Sequence, residues 1–214
     1  MSTRIVLVDE HAIFRDAVSA MIDKHPGFEV VGEAADGASA VELVEKLKPD
    51  IVLLESTLPR LSGIEVVRRL VRGGSVSRFL ILSGQDAGSA LKQALAAGAA
   101  GFLCKSDACE QLFQGIEAVA AGRRFVSPSM AHHLVEIVAS GDSDMRGEGG
   151  RLTSREREIL QLVAEGMSSK EVASSLRIST RTVESHRAKV MEKLGIHKVS
   201  GLVRYAIREG LLSP

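Results

Sequence analysis

The chain has 214 residues, of which 45% are hydrophobic and 25% charged, a composition typical of a soluble globular protein with one large or two small domains. Only 3% are aromatic and tryptophan is absent, which argues against recognition of RNA or single strands by base stacking. The net charge of zero is unevenly distributed: residues 151–214 carry 12 basic and 7 acidic side chains, a net charge of +5, and residues 1–150 carry −5. This asymmetry is typical of a control domain joined to a nucleic-acid-binding module.

The sequence carries no sign of a membrane segment or of an oxidising compartment. No apolar run approaches the roughly 18 residues of a membrane span, and the first residues, MSTRIVLVDE, lack the pattern of a signal peptide. The two cysteines, Cys104 and Cys109, are too few for a disulfide framework or a four-cysteine metal site. We therefore expect a cytoplasmic protein with no membrane partner.

Residues 1–121 alternate between short apolar runs and amphipathic stretches. The apolar runs predict five β-strands: Arg4–Val8, Phe28–Gly32, Ile51–Glu55, Arg78–Ser83 and Gly101–Leu103. Stretches with helical spacing of apolar residues predict helices at Gly37–Leu47, Gly63–Val71, Ala87–Ala97 and Asp107–Ala121. This alternation predicts an α/β fold, a five-stranded doubly wound parallel sheet with helices on both faces.

Polar and charged residues lie where the predicted strands end. Asp9 and Glu10 follow the first strand, and Glu55 ends the third. Ser83 ends the fourth strand and Lys105 follows the fifth. Ligands of such sheets bind beyond the carboxyl ends of the strands, so these side chains should gather at one edge. Because acidic groups can hold Mg²⁺ and a lysine with a hydroxyl can hold phosphoryl oxygens, we expect an acidic pocket that is at most a weak Mg²⁺ site.

Four segments of this part, VLVDEHAIFR, PDIVLLESTLP, LSG and GFLCKSD, resemble response-regulator receiver domains of the NarL/FixJ type. The resemblance implies a flavodoxin-like fold and a pocket in which a histidine kinase phosphorylates an aspartate. The phosphoacceptor position is held here by Glu55. The other matched positions, those of the acidic pair, the switch hydroxyl, the switch aromatic ring and the invariant lysine, are Asp9, Glu10, Ser83, Phe102 and Lys105.

Glu55 departs from the family pattern and bears on the activity of the pocket. Its carboxylate stands one methylene farther from the backbone, and a misplacement of roughly 1 Å can slow a reaction about 100-fold. We therefore expect a receiver that is not phosphorylated in the usual way. Either a permanent Glu55–Lys105 pair partly mimics the phosphorylated state, or the pocket is inert and structural. The neighbouring Ser56 and Thr57 are interpreted as loop residues.

Residues 122–150 are interpreted as a linker between domains at 1–121 and 151–214. A strand-like or turn segment leads into a predicted helix, Pro128–Ala139, with Ser127 as its cap and a proline in its first turn. The run GDSDMRGEGG that follows has the glycine and charge content of a flexible tether.

Residues 151–214 predict a small all-α domain of four helices. Capping-box patterns at Thr153–Glu156 and Ser168–Glu171 open the first two helices. After a short turn, a third helix is predicted over Thr180–Leu194. The fourth helix, Val199–Glu209, is more apolar than a small core requires, which allows pairing with a second copy. The candidate dimerisation residues are Val199, Leu202, Val203 and Ala206.

The third helix has a polar face suited to a DNA groove. At about 100° per residue, Arg181, Ser185, Ala188 and Lys189 fall on the side opposite the apolar stripe. Small residues at the centre of this face allow close approach, and the cations around them can meet phosphates or guanine edges. Two helices joined by a tight turn, the second with such a face, predict a helix-turn-helix.

Residues 152–196 resemble the LuxR-type helix-turn-helix along their whole length. The resemblance implies a dimer on double-stranded promoter DNA, with the third helix in the major groove and the fourth in the dimer contact. The implied base contacts are Arg181, Glu184, Ser185 and Ala188, with Lys189 beside them. The implied phosphate contacts are Lys170, Thr180, Thr182, Arg187 and Lys193. Glu184 either accepts from cytosine N4, excludes wrong sequences, or pairs with Arg181 or Arg187 inside the helix.

We therefore expect a homodimeric transcriptional regulator with an atypical receiver, no enzymatic activity and no required cofactor. Two alternatives stay open. The receiver either performs weak phosphotransfer and hydrolyses its own phosphoryl group, or binds another protein or a small molecule in its pocket. The first alternative includes a receiver in which Glu55 is an engineered replacement of aspartate.

Overall fold

A computed structural model of the chain describes residues 2–84, 87–139 and 152–212. Backbone contacts divide the chain into two compact units, Met1–Ala139 and Ser140–Pro214. Within the described ranges, no helix combines the length and the apolar character needed to cross a membrane.

The first unit is built on an all-parallel sheet with strand order β2-β1-β3-β4-β5-β6. The strands are β1 (Thr3–Val8), β2 (Phe28–Ala34), β3 (Ile51–Glu55), β4 (Arg78–Ser83), β5 (Gly101–Cys104) and β6 (Phe125–Val126). The predicted doubly wound parallel sheet is confirmed, but the prediction of five strands is wrong, because β6 pairs in parallel with β5. A strand of two residues is too short for hydrophobic periodicity to separate it from a turn.

Helices cover both faces of this sheet. They are α1 (Ala12–Ile22), α2 (Gly37–Leu47), α3 (Gly63–Arg72), α4 (Ala87–Ala97) and α5 (Cys109–Ala120). Apolar residues of α1 and α5 pack on one face, and those of α2, α3 and α4 pack on the other. The sequence did not predict α1, because His11 offers no side-chain cap at its start and the apolar Ile13 lies exposed on it.

The central strands read as continuous apolar runs because both sheet faces are buried. In β1, Ile5 and Leu7 pack toward α1 and α5, whereas Val6 and Val8 pack toward α2 and α3. The same alternation fixes the direction of the residues at the strand ends. The carboxyl edge of the sheet is therefore held by two apolar layers, and side chains placed there have defined positions.

The segment after β6 also belongs to the first unit. A 3₁₀ turn at Pro128–Met130 leads into α6 (Ala131–Ala139), where the sequence predicted one helix. Leu134 and Ile137 of α6 pack against the apolar layer that includes α4. The predicted tether, residues 141–150, lies outside the described residues, and the predicted domain limits at 121 and 151 stay predictions.

The second unit contains α7 (Ser154–Ala164), α8 (Ser169–Ser175), α9 (Thr180–Leu194) and α10 (Val199–Arg208) within its described part. Both predicted capping boxes form, at the starts of α7 and α8. Arg177 adopts a φ of 52° in the turn between α8 and α9, and Gly195 ends α9 with a φ of 63°. One apolar core joins all four helices, so the α8–α9 pair is held on a rigid base.

Candidate functional site

Three charged side chains from different strands meet at the carboxyl edge of the sheet. Asp9 follows β1, Glu55 ends β3 and Lys105 follows β5. The Lys105 Nζ lies 2.5 Å from Asp9 Oδ2 and 2.5 Å from Glu55 Oε2. Asp9 is fully buried, and only 8% of the Glu55 side chain is exposed. One ammonium therefore bridges two buried carboxylates.

The surroundings of Lys105 favour its charged form. Burial by itself lowers the pKa of the Lys105 ammonium, but hydrogen bonds to Asp9 and Glu55 outweigh it and leave the pKa above the ordinary lysine value. The ammonium also lies 4.4 Å from the centre of the Phe14 ring, within the range of a cation–π contact. The backbone N–H of His11 donates to Asp9 Oδ1 at 2.9 Å. Both carboxylates consequently keep a cationic partner at neutral pH.

The second oxygen of Glu55 is bonded as well. The Ser56 Oγ donates to Glu55 Oε1 at 2.8 Å, and the Thr57 N–H reaches the same oxygen at 3.3 Å. The Ser56 Oγ also lies 3.0 Å from Ser83 Oγ, and Ser56 is only 3% exposed. Ser56 does lie in a loop, as the sequence suggested, but its hydroxyl is part of the site. The feature of the sequence that could have predicted this role is the position of Ser56 directly after a strand-ending carboxylate.

The two positions matched to the family's switch, Ser83 and Phe102, are both buried. Ser83 ends β4, and its carbonyl accepts from the Lys105 N–H at 2.8 Å. The Phe102 ring lies in the apolar layer beneath α2, α3 and α4. The Ser83 hydroxyl therefore faces the charged cluster, and the Phe102 ring is held inside the sheet.

The residues predicted to form a weak magnesium site are the carboxylates Asp9, Glu10 and Glu55. The Lys105 ammonium lies between Asp9 and Glu55, and the Glu10 carboxylate forms no ion pair with any described residue. In the described ranges, no group of three or more His, Cys, Asp or Glu side chains is arranged to hold a metal ion. The Lys105 cation already neutralises Asp9 and Glu55 in this arrangement, and the weak Mg²⁺ site stays a prediction.

In the second unit, α9 carries an exposed polar surface. Val183 and Val190 are buried on the opposite side, and the Ser179 side chain caps the helix by accepting from the Thr182 N–H at 3.0 Å. The Thr182 Oγ1 lies 2.7 Å from Ser179 Oγ, and Thr180 is half-buried in the first turn. The exposed residues of this surface are Arg181, Thr182, Glu184, Ser185, Ala188 and Lys189. The polar face predicted for this helix is therefore available to a partner.

Cations on and beside this surface are not neutralised by neighbouring acids. Within residues 152–212, Lys170, Arg181, Arg187 and Lys189 form no ion pair. The Glu184 carboxylate likewise forms no ion pair with Arg181 or Arg187 in this part of the chain, so the intrahelical pairing that the sequence allowed is absent there. Charges left without protein partners on a helix surface are suited to contact a nucleic acid.

Lys193 differs from the other predicted phosphate contacts. Its Nζ donates to Glu156 Oε2 at 2.7 Å, and Glu156 is 4% exposed at the start of α7. The same carboxylate accepts from the Thr153 N–H at 2.8 Å and completes the capping box. The Lys193 side chain ties the end of α9 to the start of α7, and its contact with phosphate stays a prediction.

Replacing Lys193 with methionine should lower the free energy of unfolding of the second unit by about 1 kcal/mol, because Glu156 loses its cationic partner. Tyr205 is the only tyrosine and tryptophan is absent, so tyrosine fluorescence during urea unfolding of the full chain reports this unit. The matched control, Lys189→Met on the exposed face of α9, should leave the midpoint unchanged.

The effect of Lys193→Met should also depend on pH. Burial raises the pKa of the Glu156 carboxyl, but hydrogen bonds from Lys193 and Thr153 outweigh burial and hold the pKa below its ordinary value. Such a carboxyl stabilises the fold above its unfolded pKa of about 4.3 and loses that contribution as pH falls through the folded value. The difference between the two proteins should therefore shrink as pH falls below about 4.3 and vanish below the folded pKa of Glu156; an equal difference at pH 7 and in acid would contradict the assignment.

The predicted dimerisation stripe on α10 is only partly accessible. Leu202 and Ala206 are 1% and 0% exposed and belong to the core of their own unit. Their assignment to a dimer contact is therefore corrected, because a side chain buried within one chain has no surface left for a second. Val199 is 43% exposed and Val203 is half-buried, so these two remain candidates.

Family profiles match both units. The profile described as "Response regulator receiver domain" matches residues 5–117, which include the charged cluster. The profile described as "Bacterial regulatory proteins, luxR family" matches residues 151–206, which include α7 to α9 and most of α10.

Known proteins are similar to this chain over nearly its whole length. "Transcriptional regulatory protein DegU" of Brevibacillus brevis is 31% identical over 221 residues, covering 97% of this chain and 94% of that protein. "Nitrate/nitrite response regulator protein NarP" of Escherichia coli strain K12 is 33% identical over 208 residues, covering 97% and 96%. A solved structure of the Salmonella typhimurium RcsB response regulator, described by its conformational dynamism for DNA interaction, is 25% identical with a TM-score of 0.60, covering 95% and 97%. This chain therefore belongs to the two-component response regulators of the NarL/FixJ type, DNA-binding transcription regulators that join a receiver domain to a LuxR-type helix-turn-helix.

Proposed function

We propose that this response regulator binds promoter DNA as a dimer and that its receiver needs no phosphoryl group, because Glu55 supplies the negative charge permanently. The observation that carries this proposal is the buried ion pair between Glu55 Oε2 and Lys105 Nζ at 2.5 Å. By resemblance, the invariant lysine is the group that holds a phosphoryl oxygen. A carboxylate bound by that lysine thus stands where a phosphoryl oxygen would be held.

Two features of Glu55 oppose its own phosphorylation. Its Oε2 is bound by Lys105, and its Oε1 accepts from Ser56 and from the Thr57 N–H. A nucleophile must present a free lone pair in line with the donor phosphorus, and small errors of position slow such reactions severely. Bound at both oxygens and almost fully buried, the carboxylate is poorly arranged for attack.

Acetyl phosphate with Mg²⁺ tests this part of the proposal. Intact-protein mass spectrometry should show no phosphoryl adduct on the protein, and its DNA affinity at fixed salt should not change. Glu55→Asp is the matched variant, since it restores the family's phosphoacceptor, and it should gain the adduct. A stoichiometric adduct on the protein with Glu55 in place would contradict the proposal.

The DNA-binding part rests on the exposed face of α9. Arg181 and Lys189 flank the small residues Ser185 and Ala188, a shape that lets a helix lie deep in the major groove. Lys170 and Arg187 lie nearby without ion pairs in the described residues and are suited to phosphates. The RcsB structure, whose description concerns DNA interaction, supports a DNA-binding function for this domain.

Substitutions should separate base contacts from phosphate contacts. Arg181→Ala should weaken binding to a selected duplex by about 1–3 kcal/mol and relax the preference at one base pair. Lys170→Ala should weaken binding to all sequences alike and reduce the slope of log affinity against log salt by about one. Arg124→Ala removes the same charge from an exposed position of the first unit and serves as control. Equal losses on selected and random duplexes for Arg181→Ala would contradict its role.

The dimer is proposed to use the accessible part of α10. Val199 and Val203 lie one turn apart, and an exposed valine beside a half-buried one favours a small apolar contact. Val199→Lys should lower the fraction of two-protomer complexes on DNA in analytical ultracentrifugation. An unchanged stoichiometry would show that the dimer contact lies elsewhere.

A further inference from the structure

The hydroxyl of Ser56 lies in a chain of three polar groups that the pairing of Glu55 with Lys105 does not require. Its Oγ is 2.8 Å from Glu55 Oε1 and 3.0 Å from Ser83 Oγ. Ser56 and Ser83 are 3% and 1% exposed. The two hydroxyls are thus shielded from water and oriented chiefly by the groups around them.

The chemistry of these groups shows which of them donates. A serine hydroxyl carries one hydrogen and two acceptor lone pairs, whereas an ionised carboxylate only accepts. Ser56 must therefore donate to Glu55, because Oε1 has no hydrogen to offer. Ser56 is also the donor toward Ser83 Oγ, so its one hydrogen is shared between Glu55 and Ser83. A change in the charge of Glu55 therefore alters the hydrogen bond that Ser56 makes to Ser83.

The backbone holds the two serines in place for this contact. The Ser56 N–H donates to the Leu82 carbonyl at 2.8 Å, and the Lys105 N–H donates to the Ser83 carbonyl at 2.8 Å. The ends of β3, β4 and β5 are thereby fixed relative to one another. Ser56 and Ser83 face each other without requiring a rearrangement of the chain.

We propose that Ser56 is the positioning residue that couples the charge of Glu55 to the Ser83 hydroxyl at the end of β4, the strand that precedes α4 in the sequence. This inference rests on the proposed function, in which Glu55 replaces the phosphoryl group. The Glu55 carboxylate reaches the Ser83 hydroxyl through one intervening hydroxyl, that of Ser56.

The effect of Ser56 should be visible in DNA binding by the full chain. Fluorescence anisotropy on a selected duplex, at fixed salt and without phosphodonor, should show roughly tenfold weaker binding for Ser56→Ala, which corresponds to about 1.4 kcal/mol. Ser56→Thr keeps the hydroxyl and should restore most of the affinity. The matched control is Ser77→Ala, since Ser77 is also buried and donates to the Pro49 carbonyl at 2.6 Å, away from the site.

A double-mutant cycle distinguishes coupling from a structural role. If Ser56 acts through the charge of Glu55, Ser56→Ala should change DNA affinity little in a protein that already carries Glu55→Gln. A residue that only stabilises the fold would cause the same loss in both backgrounds. Hydrogen exchange of the α4 backbone should accelerate in Ser56→Ala and stay unchanged in Ser77→Ala. If Ser56→Ala does not fold, Ser83→Ala breaks the same chain from its other end and should give the tenfold loss.

The outcomes separate the two proposals. If Glu55→Gln weakens binding but Ser56→Ala does not, the coupling through Ser56 is overturned and the proposed function stands. If neither change affects binding, the proposed function itself fails. A tenfold loss for Ser56→Ala that disappears in the Glu55→Gln background supports the coupling.

Discussion

Replacing Lys105 with methionine should lower the free energy of unfolding of the first unit by about 3–5 kcal/mol, the cost of removing one partner from a buried ion pair. Lys105 is the cation that bridges Asp9 and Glu55, both almost fully removed from water. Methionine fills much of the same volume but leaves two like charges facing each other. The loss should therefore exceed that of an ordinary surface ion pair several-fold.

Urea unfolding of the full chain at pH 7, followed by circular dichroism, measures this loss. Tyr205 fluorescence, which reports the second unit, should keep the same midpoint in the variant. Lys46→Met removes an exposed lysine from α2 and should change the stability by less than about 0.5 kcal/mol. A Lys105→Met protein as stable as this control would show that the charged cluster is not closely paired in solution.

Gly63→Ala should destabilise the first unit by about 3 kcal/mol or more, because there is no space for a methyl group. A Cβ at Gly63 would lie 1.9 Å from the Glu55 carbonyl oxygen, and that contact is backbone that cannot rotate away. The Gly63 N–H also donates to the Ser56 carbonyl at 2.9 Å, which draws the start of α3 against the site. The substitution therefore has to push α3 and the Glu55 backbone apart.

Gly73→Ala provides the matched control at the other end of α3. There a Cβ would meet the nearest atoms at 3.4 Å, an ordinary contact, and φ is −74°. Gly73→Ala should leave the free energy of unfolding unchanged or raise it by about 0.4–1 kcal/mol, because alanine lowers the conformational entropy of the unfolded chain. If the urea midpoints of the two variants agree within error, the close approach of α3 to Glu55 is contradicted.

The parts of the fold that were predictable from sequence are those set by local patterns. Four central strands stand out as apolar runs, and both capping boxes of the second unit were visible in four-residue patterns. The missed elements lack such signals. α1 begins at His11 without a side-chain cap, and β6 has only two residues whose pairing with β5 depends on the rest of the sheet.

The candidate site was predictable as a set of strand ends but not as a network. Strand order brings Asp9, Glu55 and Lys105 to one edge, which the alternation of strands and helices already implied. The bond from Ser56 to Ser83 joins residues 27 apart, and the pair Lys193–Glu156 joins residues 37 apart. Periodicity shows which side of a helix is apolar, but not which chain covers it. For that reason Leu202, a core residue of its own unit, was mistaken for a dimer contact.

The most direct test of a receiver held active by Glu55 compares the protein with its Glu55→Gln variant in DNA binding. Both full-length proteins are titrated onto the same selected duplex by fluorescence anisotropy, at one salt concentration and without phosphodonor, because affinity depends steeply on ionic strength. Glutamine keeps the shape of the side chain but removes the charge that pairs with Lys105. We expect the variant to bind at least tenfold more weakly, a difference of about 1.4 kcal/mol. Equal affinities would contradict the account, since DNA binding would then not depend on the charge of Glu55.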